Sequence, residues 1–333
     1  MKIRLYFFLF FVGIQTLFAQ DPVLTQFYAA PVLVNPSFAG SVGDARIAVG
    51  YRDQWNGSNY KFSTTYISTD NWFEGINSGL GFSIVNQKET LTSYNFTEAK
   101  VSYAYHLKIS EAITFFPGIS FGVGTKHFNF QNLILGDQIS LFDGSLNPVS
   151  NDPFLEKDRV SFFDVSVGGV LYLENAWIGL SLKHLNKPDI SFLNDEPLPL
   201  PVLYSVHGGY QFRLNKGNPD GVLPFESFLF LTLNYMNQDT SNRLDLGAEI
   251  NISQFYAGVL ASAQTYKLVS GSDTLLSVNP LFGVRFNNFK IGFSYDFPVS
   301  DIGNIAGTSE INLQYVFRKT TKNGRVRIWQ VKN

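Results

Sequence analysis

The sequence predicts an all-β outer-membrane protein: a transmembrane, antiparallel, up-and-down β-barrel of about fourteen strands with long extracellular loops. Three observations point there. After the first residues, no apolar run approaches the roughly 20 residues that a membrane helix needs. The chain is nevertheless rich in aromatics and glycine (32 Phe, 16 Tyr, 28 Gly) and only 16% charged, where a soluble domain carries about 25%. Finally, polar and apolar residues alternate with period two along much of the chain, which puts a lipid face and a wet face on each strand. A mean hydropathy of +0.01 without any hydrophobic block fits that division.

Residues 1–19 read as a signal peptide. Lys2 and Arg4 precede an apolar run from Leu5 to Ile14, and small Ala19 stands before Gln20. Residues 20–44 form a lead-in punctuated by Pro22, Pro31 and Pro36. These prolines remove donors and bias the preceding residues toward extended backbone. Asn35-Pro36 and Ala39-Gly40 are turn signals. A stiff, turn-rich segment of this kind is expected to act as a plug or brace at the periplasmic mouth of the barrel, with residues 26–40 closing the lumen from below.

The barrel is expected over residues 45–318. Its strand signals fall near 45–53, 60–69, 78–86, 94–106, 112–128, 160–172, 176–186, 202–213, 225–237, 242–251, 255–267, 277–286, 289–297 and 308–318. The alternation is plain in Leu244-Asp245-Leu246-Gly247-Ala248-Glu249-Ile250-Asn251, where Asp245 and Glu249 on one strand face, between apolar residues, imply a wet interior. Asp245 and Glu249, with Lys183, read as ion pairs across the lumen or as contacts for a solute. With the chain starting in the periplasm, the long connections 129–159 and 187–201 face outward, and short ones such as Leu173-Glu174-Asn175 face the periplasm. Residues 214–224 and 238–241 fit this parity badly. Tyr103, Tyr105, Trp177, Tyr204 and Tyr256 lie near strand ends, which suits an interfacial girdle or a sugar-binding surface.

Residues 319–333 are a basic periplasmic tail with no acid. Arg325, Arg327 and Trp329 within it alternate like a strand, so the tail reads either as a docking segment for a partner or as a solvated end.

Little catalytic chemistry is legible. The chain has no cysteine, which excludes disulfides, thiolate metal sites and a lipidated N-terminal Cys. His106, His127, His184 and His207 are not spaced as metal ligands. Ser205 and His207 share a strand face, the one hint of a hydrolase couple. Glycine pairs such as Gly122/Gly124 and Gly208/Gly209 lie inside strands with no helix following, so they relieve crowding on the inner wall rather than cradle phosphate. No enzyme activity, cofactor or metal is expected, and a net charge of −2 argues against nucleic acid as a partner.

The opening words are the most distinctive. Gln26-Phe27-Tyr28-Ala29-Ala30-Pro31 is followed by Asn35-Pro36-Ser37-Phe38-Ala39-Gly40 and then Tyr51-Arg52-Asp53-Gln54-Trp55. Near the end stands Gly307-Thr308-Ser309-Glu310-Ile311-Asn312-Leu313-Gln314-Tyr315. Together these resemble the PorP/SprF family of type IX secretion system membrane proteins. The resemblance implies a non-catalytic outer-membrane component that supports secretion or surface attachment of partner proteins, gliding adhesins among them. It also implies partners: outer-membrane lipid, periplasmic and outer-membrane type IX secretion proteins, and the C-terminal domain of a secreted surface protein. In that reading Gln26, Phe27, Tyr28, Pro31, Asn35, Pro36, Ala39, Gly40, Tyr51, Arg52, Gln54 and Trp55 are the family-motif residues. The tail past Phe317 departs from the family pattern. An alternative function for such a barrel is a channel or transporter for a small solute.

Overall fold

Alternating residues segregate by environment in the computed structural model. The inner face of the wall is polar: Ser68, Ser120, Ser166, Ser181, Asn279 and Ser294 are all buried. The outer face exposes apolar side chains that include Ile47, Val101, Phe121, Ile178, Phe282 and Ile311. This inverts a soluble fold and is the distribution that lipid outside and a filled polar lumen require. Among the described residues, no helix is long and apolar enough to cross a membrane. The structure describes residues 21–318 except 56–60, 91, 130–133, 135, 141, 151–156, 216–222, 225–226, 265–274 and 300–306. The expected signal peptide and basic tail, with Arg325, Arg327 and Trp329, lie outside the described residues.

The strands are β1 (Ala45–Gln54), β2 (Phe62–Phe73), β3 (Ser78–Glu89), β4 (Asn95–Tyr105), β5 (Leu107–Lys108), β6 (Thr114–His127), β7 (Arg159–Tyr172) and β8 (Ala176–Lys183). They continue with β9 (Leu203–Arg213), β10 (Phe228–Gln238), β11 (Ser241–Ile252), β12 (Phe255–Ala263), β13 (Leu275–Phe286), β14 (Phe289–Pro298) and β15 (Thr308–Phe317). Two-residue β5 merely prolongs the β4 edge along β6, so the wall has fourteen barrel strands, as expected. Each barrel strand pairs antiparallel with the next barrel strand in sequence, β4 passing over β5 to pair with β6. The ring is closed by β1 on β15, with Arg52 opposite Glu310, and by β4 on β6.

Connections 128–158 and 184–202 lie at one end, called here the long-loop end. The turns 173–175, 253–254 and 287–288 lie at the other, where β1 begins and β15 finishes.

The lead-in is folded into the lumen. It forms a 3₁₀ turn over Phe27–Ala29, the one-turn helix α1 (Pro31–Val34) and a second 3₁₀ turn over Pro36–Phe38. Both prolines open their turns, where the missing N–H has no partner to lose. Asn35 between them is extended, as a residue before proline prefers, and its Oδ1 accepts the Ser37 N–H at 2.9 Å. Gly40 has φ +69°, and a Cβ there would meet the Gly79 Cα at 2.8 Å. Both the conformation and the close approach require glycine at the turn into β1.

Candidate functional site: the filled lumen

The lead-in meets the wall in a series of polar and aromatic clusters. At the long-loop end the Asp21 N–H donates to Gln238 Oε1 at 3.1 Å. The Asp21 carboxylate accepts from His184 Nε2 at 2.9 Å and lies 3.5 Å from Lys183 Nζ. His184 Nδ1 faces Asp164 at 2.6 Å, and Lys100 bridges Asp164 (3.0 Å) and Glu98 (2.9 Å). Both ring nitrogens of His184 face carboxylates, so both carry hydrogens and the ring is an imidazolium. Burial pushes the ring pKa down, but Asp21 and Asp164 outweigh it and raise the value to about 9. Burial likewise pushes Asp21 up, and His184, Lys183 and Lys100 outweigh it, holding the carboxyl well below its usual range.

Glu98, Asp164 and His184 offer donor atoms within 4.8 Å of one another. However, the Lys100 ammonium already joins the two carboxylates and both His184 nitrogens are engaged. As folded, the set is an ion network that carries its own cations.

Lower in the lumen, Arg52 ties three distant motifs together. Glu310 accepts the backbone N–H groups of Thr25 (2.8 Å) and Gln26 (2.9 Å). Arg52 donates to Glu310 at 3.1 Å, to Asp296 at 2.8 Å and to the Thr25 hydroxyl at 2.6 Å. The Thr25 hydroxyl in turn donates to Asp296. Arg52 and Glu310 are 3% and 1% exposed, so little of this is screened by water.

The middle of the lead-in is held by a hydrogen-bond chain that begins and ends on the lead-in itself. Asn35 Nδ2 donates to the Leu180 carbonyl at 3.0 Å and faces His207 Nε2 at 3.1 Å. An amide N–H can only donate, which assigns Nε2 as acceptor and puts the ring hydrogen on Nδ1. Nδ1 then donates to Ser205 Oγ at 3.1 Å, Ser205 to Ser181 Oγ at 3.1 Å, and Ser181 to the Val34 carbonyl at 2.9 Å. In this tautomer the Ser205–His207 couple has its protonated nitrogen toward the serine, the reverse of what a general base needs.

Toward the short-turn end the contacts are aromatic and close. Phe38 packs edge-on against Trp177 with centroids 5.1 Å apart, and also against Tyr172. The Tyr28 hydroxyl donates to Glu249 at 3.1 Å, and Lys290 Nζ lies over the Tyr28 and Tyr256 rings. The Gly40 N–H donates to Asp70, which pairs with Arg46 at 2.8 Å. His106 Nε2 donates to the Ala39 carbonyl at 3.0 Å. Wall glycines make room throughout. A Cβ at Gly79 would stand 2.0 Å from the Ala39 carbonyl oxygen, one at Gly118 2.5 Å from Ser37 N, and one at Gly168 2.0 Å from Asn35 Oδ1.

The structure thus gathers Gln26, Phe27, Tyr28, Pro31, Asn35, Pro36, Ala39, Gly40 and Arg52 into one buried assembly. Tyr51 points outward, while Gln54 and Trp55 sit half-buried at the end of β1, with Trp55 edge-on to Phe62. Two girdle assignments are corrected. Trp177 and Tyr256 are 3% and 2% exposed and face the lumen, whereas Tyr103, Tyr105 and Tyr204 do lie on the outer surface. The supposed cross-lumen partners also differ: Asp245 pairs with Arg243, Glu249 with Arg285 and Lys290, and Lys183 with Asp21. Nor is the lead-in confined to one mouth. It runs from the long-loop end, at His184 and Gln238, to the short-turn end, at Asp70 and Gly79.

Known proteins echo this architecture. The fold resembles a deletion mutant of TodX described as a monoaromatic hydrocarbon channel (12% identity, TM-score 0.50, 86% of this chain and 93% of that one). It is also similar to the Pseudomonas putida toluene transporter TodX (11% identity, TM-score 0.48, 90% and 98% covered). Omp33 of Acinetobacter baumannii matches at 9% identity and TM-score 0.44, over 82% and 99%. At such identities the likeness concerns the fold alone, an outer-membrane-type barrel. No curated protein sequence matches the chain. A family model does, over residues 16–315, a span that contains all three opening words and the closing words Gly307 to Tyr315. The chain therefore belongs to the PorP/SprF family of type IX secretion system membrane proteins.

Proposed function

We propose that this protein serves type IX secretion by contact, supporting the export or surface attachment of partner proteins rather than passing solutes through its lumen. The observation that carries this reading is the lead-in. It occupies the lumen from one end to the other and buries Phe27, Tyr28, Asn35 and Phe38 against the wall. What is left for function is the rim, namely the long-loop end, the short-turn end and the lipid-facing belt. In this reading the long-loop end faces the exterior, as outer-membrane barrels with short periplasmic turns are oriented. The loops 128–158 and 184–202 meet the C-terminal domain of a secreted surface protein, gliding adhesins included. Periplasmic secretion components meet the other end, and Arg325, Arg327 and Trp329 of the tail dock there.

Affinity purification from intact cells in mild detergent, followed by mass spectrometry, tests this. Co-purification of secretion components and an exported protein is expected. Recovery of the barrel alone would sink the reading, and truncation after Arg318 should selectively lose the periplasmic partners. The competing reading, a channel for a small solute, requires the lead-in to leave.

A further inference from the structure

We propose that the lead-in enters the lumen through the long-loop mouth and is latched there, so that its first residues are a release handle for the plug, reachable from outside the cell. The outer access rests on the orientation given above; the threading rests on contacts alone.

Those contacts fix the direction of travel. Asp21 is held by Gln238, the last residue of β10, and by His184, which directly follows the last residue of β8. Both strands end at the long-loop mouth. Thr25 and Gln26 then meet Arg52, Asp296 and Glu310, each within three residues of the same end of β1, β14 or β15. Tyr28 reaches Lys290 and Tyr256, each the second residue of its strand at the opposite end. Helix α1 carries the chain across the lumen to Leu180 and His207, and Phe38 and Gly40 bring it to Tyr172, Trp177 and Asp70 at the short-turn end, where β1 starts.

The two ends of this path are held differently. The short-turn end is continuous with β1 and cannot leave. Once residues 1–19 are removed as the expected signal peptide, the start of the segment is held, among the described residues, by Gln238, Lys183 and His184 on Asp21, by Leu24 packed with Ala30, Ala48 and Tyr66, and by the Asp296 and Glu310 carboxylates on Thr25 and Gln26. A segment tethered at one end opens from the other, and local opening begins where the fewest contacts must break together. A partner that binds the 184–202 loop sits on the element that carries His184, so it acts directly on the latch.

The chain has no cysteine, so single cysteines report cleanly. Val23→Cys, half-buried beside the latch, is compared with Ser145→Cys in the exposed 128–158 loop and Asn175→Cys in the exposed β7–β8 turn. Each full-length variant is treated with a membrane-impermeant maleimide on intact and on permeabilised cells. Unheated gel mobility confirms that each is folded. Position 23 is expected to react in intact cells with position 145, while position 175 reacts only after permeabilisation. Adding Asp21→Asn or His184→Ala should raise the rate at position 23 at least about tenfold, a modest return for removing one buried charge-assisted contact. Reaction at 23 only together with 175 would overturn the threading. A rate unchanged in both latch variants would overturn the latch. Reaction at 145 only in broken cells would instead refute the orientation, and with it outer access, whatever position 23 does.

Discussion

Replacing Arg52 by methionine keeps the volume of the side chain and removes the cation that joins the first, fourteenth and fifteenth strands to the lead-in. The wild-type guanidinium makes three short contacts, to Asp296 (2.8 Å), Glu310 (3.1 Å) and the Thr25 hydroxyl (2.6 Å). Without it, two carboxylates remain buried side by side. Removing one partner of a buried ion pair costs about 3–5 kcal/mol. Glu310 retains two backbone donors and Asp296 retains the Thr25 hydroxyl, which places the expected loss near the lower end, about 3 kcal/mol. Glu310→Gln alone should cost about 2 kcal/mol, the value of a charge-assisted hydrogen bond. The double variant should cost little more than Arg52→Met, because the residues share one network and their effects do not add. The assay is denaturant unfolding in lipid vesicles read by gel mobility, with midpoints and slopes giving the free energies. A loss for Arg52→Met within about 1 kcal/mol, as an exposed interfacial arginine would give, would refute the buried node.

Gly79→Ala forces a Cβ to within 2.0 Å of the Ala39 carbonyl oxygen and should destabilise by about 1–3 kcal/mol, seen as a lowered unfolding midpoint. Trp177→Ala empties the pocket around Phe38 and should cost about 3–5 kcal/mol, whereas Tyr204→Ala, on the outer surface, should stay within about 1 kcal/mol in the same assay. The two residues looked alike in the sequence. The His184 ring is raised to about 9 from 6.5, so the stability it adds is fully present below about pH 6.5 and is lost as pH rises through about 9. Asp21 and Asp164 are the carboxylates it faces, and Lys183 and Lys100 are the neighbouring cations on those carboxylates. The wild-type midpoint should therefore fall between pH 7 and 10 more steeply than that of His184→Gln.

The strands were legible because a lipid face and a lumen face impose period two, and that signal survives without any tertiary information. Their boundaries drifted by up to four residues in both directions: β8 stops at Lys183 rather than 186 and β12 at Ala263 rather than 267, whereas β2 runs on to Phe73 rather than 69. The inward turn of Trp177 was also present in the sequence. It shares its face with Gly179, Ser181 and Lys183, while Ile178, Leu180 and Leu182 take the other, and that parity outweighs its nearness to a strand end. Arg52 is similar, aligned with Ala48 and Gly50 opposite Ile47 and Tyr51. The path of the lead-in was not legible. Its prolines announced turns, but which wall Asn35 or Gln26 meets depends on barrel closure, a contact between residues more than a hundred positions apart. Wall glycines were the only local sign, and glycine on a strand has several causes.

The lead-in fills the lumen, which in the proposed reading leaves function to the rim. Ion conductance of the full-length protein in planar bilayers, set against a folded variant lacking residues 26–40, tests it most directly. A closed wild-type barrel is expected, with open, steady conductance once the segment is gone. Conductance that is the same with and without residues 26–40 would contradict it.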